Sequence, residues 1–394
     1  MLASLLNRWR GLVHPPRIQA DAERSATRLE LFFDLAFVLA VHQSADQLDG
    51  ELSWHGAAVT AGLVTVVWWA WASSTLYANR FDTDDVIYRL SKLAQMAAVV
   101  VLAAAAPTAM GDGAWRFALG YGVLRLILVL QYLRAWRHVP DARRAIKPYL
   151  YAHSASGTLW LISVLVPYPA GYWLWAVGVA LEFAAPPVAG QAGADAPLHL
   201  EHLPERFALF VILVLGESVT AVVAGLQDSE WDRGSVLAAL PAFVVAVALW
   251  WMYFDISGAA AKRRLQREGP QSRLDVHDRF LFAHLPLAGG LVAVGVGLEH
   301  AITDTAGEES ATGTRWTLIG GLVLYLGAAW ALQALTDRWR SGALWPGLAI
   351  PAVVGTGFLV SGTLVLVLLA LILVTGVIIG LTRREAGDLP TADV

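Results

Sequence analysis

The sequence predicts an all-α polytopic membrane protein with about 12 transmembrane helices, arranged as two six-helix halves related by a parallel repeat. Three observations predict this fold: an apolar composition, apolar windows of membrane-spanning length, and basic residues that collect between alternate windows. Of the 394 residues, 57% are hydrophobic and 15% are charged, whereas about a quarter of the residues of a soluble domain are charged. A chain of this composition needs a lipid environment.

Composition and charge exclude several classes of function. The formal net charge of −4 is too small to indicate nucleic acid or another charged polymer as a partner. The chain contains no cysteine, which excludes disulfides, thiolate metal sites and cysteine nucleophiles, and we expect no cofactor. Residues 1–27 contain four arginines but lack the apolar core of a removable signal peptide. They are predicted to be a cytoplasmic tail.

Windows of about 20 mostly apolar residues, the length that crosses the hydrocarbon core, recur along the chain with short polar breaks. They predict transmembrane helices at 28–48, 54–78, 86–106, 115–135, 149–167, 171–188, 204–226, 235–257, 279–300, 316–335, 344–361 and 363–381. The apolar run 343–381 is interrupted only at Ser361-Gly362-Thr363. It is therefore either two helices or one long tilted helix.

Lysine and arginine are distributed unevenly between alternate connections, which predicts the orientation in the membrane. With a cytoplasmic amino terminus, the inner connections and helix ends hold most of the basic residues, including Arg80, Arg89, Lys92, Arg134, Arg137, Arg143, Arg144, Lys147, Lys262, Arg263, Arg264, Arg267, Arg338, Arg340, Arg383 and Arg384. The outer connections hold mainly carboxylates. An even number of spans preserves this alternation, so both termini are predicted to be cytoplasmic and the protein to lie in the cytoplasmic membrane.

Tryptophans cluster near the predicted cytoplasmic ends of two spans, at Trp68, Trp69 and Trp71 and at Trp250 and Trp251. Tryptophan is enriched at membrane–water interfaces. We therefore interpret these residues as interfacial anchors rather than as a ligand site.

Segments of the two halves match in the same order, which predicts an internal repeat. The matched pairs are Glu30 with Glu205, His42 with Glu217, Trp68 with Trp250, Arg89 with Arg279 and Trp115 with Trp316. The predicted organisation is a first half at 28–190, a cytoplasmic linker at 191–203, a second half at 204–381 and a cytoplasmic tail at 382–394. Both halves have the same orientation, as in transporters with parallel repeats, and function is expected where they meet.

Ionisable residues inside apolar spans are the candidates for function, because a charge buried in the bilayer is costly unless it faces a partner or a cavity. The predicted ion or substrate pathway consists of Glu30, Asp34, His42, Glu205 and Glu217. Glu30 and Asp34 lie one turn apart on one side of a helix. The repeat gives His42 and Glu217 equivalent depths, which makes them candidates to face each other and to pass on a proton or hold a cation.

A charge network is predicted to support this pathway. Asp255, Arg89 and Arg279 occupy the inner ends of spans, and the network that they form either gates the inner face or only stabilises it. Arg206 belongs to this network or, together with Arg28, marks the membrane boundary, and the boundary is the interpretation that we favour for both arginines.

Further polar residues lie within apolar stretches, namely Glu182, Arg125, His284 and Gln95. All four are candidates to pair with the carboxylates of the pathway, and His284 is included in the supporting network. Structural ion pairs explain Glu182 and Arg125 equally well.

Four potential metal ligands lie within one short segment, namely His199, Glu201, His202 and Glu205. These side chains suit a divalent cation. Their spacing matches no helical zinc-protease motif, however, and prolines bracket the segment. The sequence therefore predicts no metal site and no catalytic residues.

Glycines within the apolar spans predict close packing between helices. They are Gly289, Gly290, Gly295, Gly297, Gly320 and Gly321. A further seam of small residues, formed by Gly216, Thr220 and Ala224 beside Glu217, would let another helix approach this carboxylate closely.

Two segments carry a resemblance to a known family. RLELFFDLAFVLAVHQ at 28–43 and HLPERFALFVILVLGES at 202–218 resemble the bacterial low temperature requirement A (LtrA) family of multi-pass membrane proteins, which is named for a cold-growth phenotype. The similarity extends from about residue 20 to residue 380 and includes the Glu-Leu-Phe-Phe-Asp core and the Gly-Glu-Ser ending. The resemblance implies a membrane architecture but no substrate.

Three classes of function remain open on the sequence. The first is a transporter or channel for protons, a cation or a small solute, with the intramembrane carboxylates on the path. The second is a membrane scaffold or stress-related protein whose buried charges are structural. The third is an intramembrane enzyme, which we do not favour. The expected partners are the lipid bilayer and a small ion or solute, and a homo-oligomer is compatible with the sequence.

Overall fold

Helices make up nearly all of the computed structural model, which describes residues 13–18, 26–82, 84–199, 202–267, 273–304, 312–334, 339–359 and 361–385. They are α1 (Arg28–Gly50), α2 (Trp54–Arg80), α3 (Val86–Ala105), α4 (Ala114–His138), α5 (Arg143–Ser163), α6 (Ala170–Phe183), α7 (Ala185–Ala189), α8 (His202–Asp228), α9 (Arg233–Trp251), α10 (Gly258–Arg267), α11 (Arg273–Thr303), α12 (Thr312–Ala334), α13 (Trp339–Thr356) and α14 (Gly362–Glu385). A π-helix at Met252–Ser257 joins α9 to α10. Strand β1 (Arg17–Ile18) pairs antiparallel with β2 (Phe81–Asp82).

The described residues contain nine helical spans that are long and apolar enough to cross a membrane, which confirms the prediction of an all-α membrane protein. Among the long helices, α1, α5 and α13 do not meet these criteria. Helices α1 and α5 carry several charged residues, and the part of α13 whose side chains are described, Trp345–Thr356, is apolar but shorter than a span. The number of twelve spans therefore stays a prediction.

The observed helices differ from the predicted spans in a few places. Helix α5 begins at Arg143, before the predicted start at 149. The prediction placed the start too late because a search for apolar windows leaves out the polar first turns of this helix. The predicted span 235–257 is helical throughout, but its last turn is π-helical. The apolar run 343–381 forms two helices, α13 and α14, and the Ser361 hydroxyl at the break accepts a hydrogen bond from the Leu364 N–H at 3.4 Å.

The chain divides into two compact units. Unit 1 is Met1–Ser44 with Val66–Arg206, and unit 2 is Ala45–Thr65 with Phe207–Val394. Within unit 1, α3, α4, α5 and α6 pack against each other in chain order. Within unit 2, α11 packs on α12, α12 on α13, and α9 on α14. The division into six-helix halves and the internal repeat stay predictions.

The amino-terminal segment 13–18 is bound to unit 1 through Asp85. This carboxylate accepts hydrogen bonds from the backbone N–H groups of Tyr88 at 2.9 Å and His14 at 3.1 Å, and it pairs with Arg134 at 2.5 Å. Arg134 also donates to the carbonyl oxygen of His14 at 2.7 Å. The described part of the predicted tail is therefore docked, whereas residues 1–12 and 19–25 of that tail lie outside the described residues.

The pKa of Asp85 reflects these contacts. Burial by itself raises the pKa of this carboxyl group, but the hydrogen bonds from Arg134, Tyr88 and His14, together with the charge of Arg134, outweigh burial and hold the pKa below its usual value. A lowered pKa in the folded state means that the ionised form stabilises the docked segment.

We predict that Asp85→Asn weakens the docking of this segment by about 1.5–3 kcal/mol, the contribution of hydrogen bonds to a charged group. Limited trypsin digestion should then cleave faster at Arg17. In the parent protein the stabilisation is present above the usual aspartate pKa and is lost as the pH falls through the lower folded value. Asp84→Asn is the matched control, because the Asp84–Arg89 pair is exposed and contributes little. Equal cleavage of both variants would contradict this account.

Candidate functional site

Glu30 is positioned by the beginning of α1. Thr27 and Glu30 form a capping box, in which the Thr27 N–H donates to Glu30 Oε2 at 2.9 Å and the Glu30 N–H donates to Thr27 Oγ1 at 3.2 Å. The Thr27 hydroxyl donates to the same carboxylate oxygen at 3.1 Å. The capping box therefore fixes the carboxylate beside the first turn of the helix.

Arg206 binds both carboxylates of α1. Its Nη1 lies 3.1 Å from Glu30 Oε1, and its Nη2 donates to Asp34 Oδ1. Trp71 Nε1 on α2 donates to the same oxygen of Asp34 at 2.8 Å. Glu30, Asp34 and Arg206 are only 3%, 0% and 1% exposed. The guanidinium of Arg206 thus lies between two carboxylates, whereas Arg28 is exposed, and a membrane boundary at these two arginines stays a prediction.

His202 lies on the other side of Glu30. Its Nδ1 is 3.3 Å from the amide nitrogen of Asn79, which can only donate, so Nδ1 accepts and the proton of the neutral ring is on Nε2. This Nε2 lies 3.5 Å from Glu30 Oε2. Asn79 is oriented by His199, since its Oδ1 accepts from the His199 N–H at 2.8 Å and its Nδ2 donates to the His199 carbonyl oxygen at 3.1 Å.

Lys92 is a second buried cation in this part of unit 1. Its Nζ lies 4.0 Å from the ring centroid of Phe33, the residue next to Asp34. The sequence places Lys92 among the basic residues of the inner ends, but the structure buries it on α3.

The two carboxylate oxygens of Asp34 differ in their hydrogen bonds. The hydrogen bonds from Trp71 and Arg206 both reach Oδ1. Oδ2 is buried and accepts no hydrogen bond from the residues that the structure describes. A buried carboxylate oxygen of this kind is a site that can hold a proton or a small cation.

The other residues of the predicted pathway are distributed along α1 and α8. Glu205 is half-buried, and one of its oxygens lies 3.5 Å from the Ala26 N–H. His42 is half-buried further along α1. Glu217 is half-buried in unit 2, where a Cβ placed on Gly295 would lie 3.8 Å from the Glu217 Cβ. His42 and Glu217 belong to different units, so their pairing stays a prediction.

The members of the predicted charge network have different environments. Arg89 pairs with Asp84 at 2.8 Å, and both side chains are exposed. Asp255 is half-buried within the π-helix, and Arg279 is exposed on α11. A network of Arg89, Asp255 and Arg279 stays a prediction.

His284 binds a tyrosine in unit 2. Its Nδ1 lies 2.7 Å from the carbonyl oxygen of Phe280, so this nitrogen carries the proton, and Nε2 accepts from the Tyr253 hydroxyl at 2.9 Å. Tyr253 belongs to the π-helix, a feature that is frequent at functional sites.

The positions of three tryptophans contradict their interpretation as interfacial anchors. Trp68, Trp69 and Trp71 are completely buried within the protein, and Trp71 is a hydrogen-bond donor to Asp34. Trp250 and Trp251 are partly exposed, as anchors should be. The interpretation is therefore wrong for the first group, whose rings pack between helices.

Arg125 and Glu182 pair with each other at 2.8 Å. They were candidates to pair with the carboxylates of the pathway, but their helices, α4 and α6, bring them together. Gln95 lies 3.4 Å from the Ser74 hydroxyl. Of the two interpretations, the structure agrees with a buried ion pair.

No group of three or more potential metal-ligating side chains occurs within the described residues. Of the segment considered for a metal, Glu201 lies outside those residues, and His199 and His202 bind Asn79.

The sequence did not identify Trp71 and Asn79 as members of the site. The Thr27-x-x-Glu30 pattern is typical of a capping box. Asn79 is a polar residue in an apolar helix, which is a weaker indication. Neither pattern identifies a tertiary partner.

The comparisons with known proteins agree with the architecture. Residues 25–379 match the family model described as bacterial low temperature requirement A protein (LtrA), and this range includes the whole Glu30–Asp34–Arg206–His202 cluster. The chain is 27% identical over 334 residues to an uncharacterized protein, RA0937, of Rhizobium meliloti (strain 1021), and the match covers 82% of this chain and 81% of that protein. The chain therefore belongs to the LtrA family of bacterial membrane proteins.

Proposed function

We propose that this membrane protein is a transporter or channel that moves protons, alone or together with a cation or small solute, and that Asp34 takes up and releases the proton. One observation carries the proposal. Asp34 is completely buried, Oδ1 is bound to Arg206 and Trp71, and Oδ2 accepts no hydrogen bond from the described residues. An ionisable residue at such a position in a membrane helix is costly and is by default a candidate for function.

The contacts of Arg206 support a change of protonation at Asp34. If Asp34 binds a proton, the guanidinium loses one counter-charge but remains 3.1 Å from Glu30. A buried cation without a counter-charge is strongly destabilising. Because Glu30 also pairs with Arg206, the guanidinium keeps one counter-charge when Asp34 is neutral.

The surface of α1 supports the proposal that it spans the bilayer. Phe32, Leu35 and Leu39 are exposed large apolar side chains, whereas Glu30 and Asp34 are buried. An apolar outer face of this size suits contact with lipid. Twelve spans, a parallel repeat, cytoplasmic termini and a location in the cytoplasmic membrane, without enzymatic activity, are part of the proposal.

A membrane scaffold is the second candidate, because one observation favours it. Glu30 forms a capping box and an ion pair, and these contacts give the carboxylate a structural role without any transport. If the protein is a scaffold, neutralising Glu30 or Asp34 would lower the stability of the fold, and neither the parent protein nor the variants would show proton flux.

We predict that Asp34→Asn abolishes proton flux while the protein remains folded. Asparagine keeps an oxygen that can accept from Trp71 but cannot ionise. The measurement is proton flux into sealed proteoliposomes that contain a pH dye, under imposed proton and potassium gradients. Flux of Asp34→Asn should equal that of empty liposomes. Glu30→Gln, which keeps the capping box because glutamine also serves there, should lower flux less.

Asp112→Asn is the matched control, since Asp112 is exposed between α3 and α4. It should show the flux of the parent protein. Glu217→Gln tests whether the second unit contributes. Parent flux in Asp34→Asn, or no flux above empty liposomes for the folded parent protein, would contradict proton transport, and the second result would favour the scaffold.

A further inference from the structure

A second cluster of ionisable groups is buried in unit 1, between α4, α5 and α6. Glu182 Oε2 lies 2.8 Å from Arg125 Nη2 and accepts from the Tyr121 hydroxyl at 3.0 Å. Its other oxygen lies 3.6 Å from Nδ1 of His153. The side chains of Arg125, His153 and Glu182 have no exposed surface. Three helices thus contribute one cation, one anion and one histidine to a single buried cluster.

Glycines let the three helices enclose this cluster. A Cβ on Gly157 of α5 would lie 3.1 Å from the Arg125 Cβ, and one on Gly178 of α6 would lie 2.9 Å from Trp160 Nε1 and 3.0 Å from Ser156 Oγ. The helices therefore approach each other at the level of the cluster more closely than larger residues allow.

Glu182 and two aromatic rings are the neighbours of His153 that favour a positive charge on its ring. The Glu182 oxygen that lies 3.6 Å from the His153 Nδ1 would attract an imidazolium electrostatically, while Glu182 also stays paired with Arg125. The rings of Tyr132 and Tyr149 stack on the imidazole, with centroids 5.8 Å and 6.4 Å away, and aromatic faces attract cations.

Other charged and titratable groups also face this site. Opposing positive charge comes from Arg125 on α4 and from Arg80 on α2, whose guanidinium carbon lies 4.6 Å from the Tyr149 ring centroid. The hydroxyl of Tyr121 is a neutral donor to Glu182. Only Glu182 supplies negative charge among the contacts described for His153, so the carboxylate decides whether the ring can bind a proton.

We propose that His153 and Glu182 form a second proton-binding site. A proton from water binds the ring nitrogen that lacks one, so that the imidazolium carries N–H on both nitrogens and its Nδ1–H faces Glu182, which stays ionised against Arg125. On release, one N–H bond of the imidazolium breaks and the proton returns to water. The ligand is the proton itself, and the site is distinct from the Asp34 cluster.

Helix α2 connects the two clusters. Its Trp71 donates to Asp34 at 2.8 Å, and two residues later Ser73 accepts from Arg125 Nη1 at 2.6 Å. A change of charge at either cluster therefore acts on the same short segment of one helix. A role of His153 in flux rests on the proposed transport function, whereas proton binding does not.

The test is solid-state NMR of the protein in lipid, labelled with nitrogen-15 histidine, because neutral imidazole and imidazolium nitrogens have distinct signals. On acidification, the parent protein should gain one imidazolium signal that is missing in both His153→Gln and Glu182→Gln. His138→Gln, which removes an exposed histidine at the end of α4, is the control and should keep the signal.

Two outcomes would overturn the site. One is a His153 ring that stays neutral at every pH at which the protein remains folded. The other is an imidazolium signal of His153 that is unchanged in Glu182→Gln, and this variant decides the question if His153→Gln does not fold. A His153 signal without proton flux would leave the binding site intact and reject only transport. Proton flux without the His153 signal would reject the binding site and leave the transport proposal intact.

Discussion

Arg125→Met is expected to lower the free energy of unfolding by about 3–5 kcal/mol, because it leaves the Glu182 carboxylate as an uncompensated charge in the interior. The two groups are 2.8 Å apart and neither side chain has exposed surface. Methionine preserves most of the volume of the arginine stem, so the loss would come mainly from charge. Reversible unfolding in mixed micelles, followed by circular dichroism, gives the free energy.

The double variant Arg125→Met/Glu182→Met separates charge compensation from packing. Removing both charges removes the cost of burying them, so the loss should be much smaller than the sum of the single effects. Arg89→Met is the matched control, because its pair with Asp84 is exposed and should contribute about 0–1 kcal/mol. A double variant that loses the full sum would contradict the assignment to charge.

The local part of the Asp34 cluster could be predicted from the sequence. A spacing of four residues places Glu30 and Asp34 on one side of a helix, and in the structure both bind Arg206. The arginine comes 172 residues after Asp34, and the tryptophan donor lies on a different helix. No local pattern encodes such contacts, because they depend on how the helices pack.

The buried tryptophans show a second limit of the sequence. Lipid is about as apolar as the protein interior, so a membrane helix lacks the polar face that tells which side is buried. Trp68, Trp69 and Trp71 therefore fit an interface and a core equally well. Only their position against neighbouring helices, including the edge contact of Trp69 with Phe183, distinguishes the two.

Glycine patterns were predictive in part. Close packing is confirmed at Gly290, Gly297 and Gly321, but a Cβ added to Gly216 meets no described residue within 4 Å. The predicted seam at Gly216 is therefore wrong as a contact. Helix α11 approaches Glu217 through its own Gly295 instead. The sequence identifies small residues but not which side of a helix meets a neighbour.

Gly321→Ala is expected to destabilise unit 2 by about 1–3 kcal/mol, the usual cost of overpacking. Helices α11 and α12 meet here at backbone distance. A Cβ on Gly321 would lie 2.8 Å from the carbonyl oxygen of Gly290 and 2.8 Å from the Val294 nitrogen. Backbone atoms cannot rotate away as a side chain can, so the helices must separate. The measurement is the free energy of unfolding in mixed micelles.

The neighbouring glycines provide matched controls that differ only in which side of the helix they occupy. Among the residues that the structure describes, an added Cβ on Gly320 or Gly289 meets no atom within 4 Å. Alanine favours the helix over glycine by about 0.5–1 kcal/mol, so Gly320→Ala and Gly289→Ala should be neutral or stabilising. The sign of the effect should thus reverse between adjacent positions. If Gly320→Ala and Gly321→Ala behaved alike, the backbone contact between α11 and α12 would be rejected, because helix propensity alone cannot distinguish the two positions.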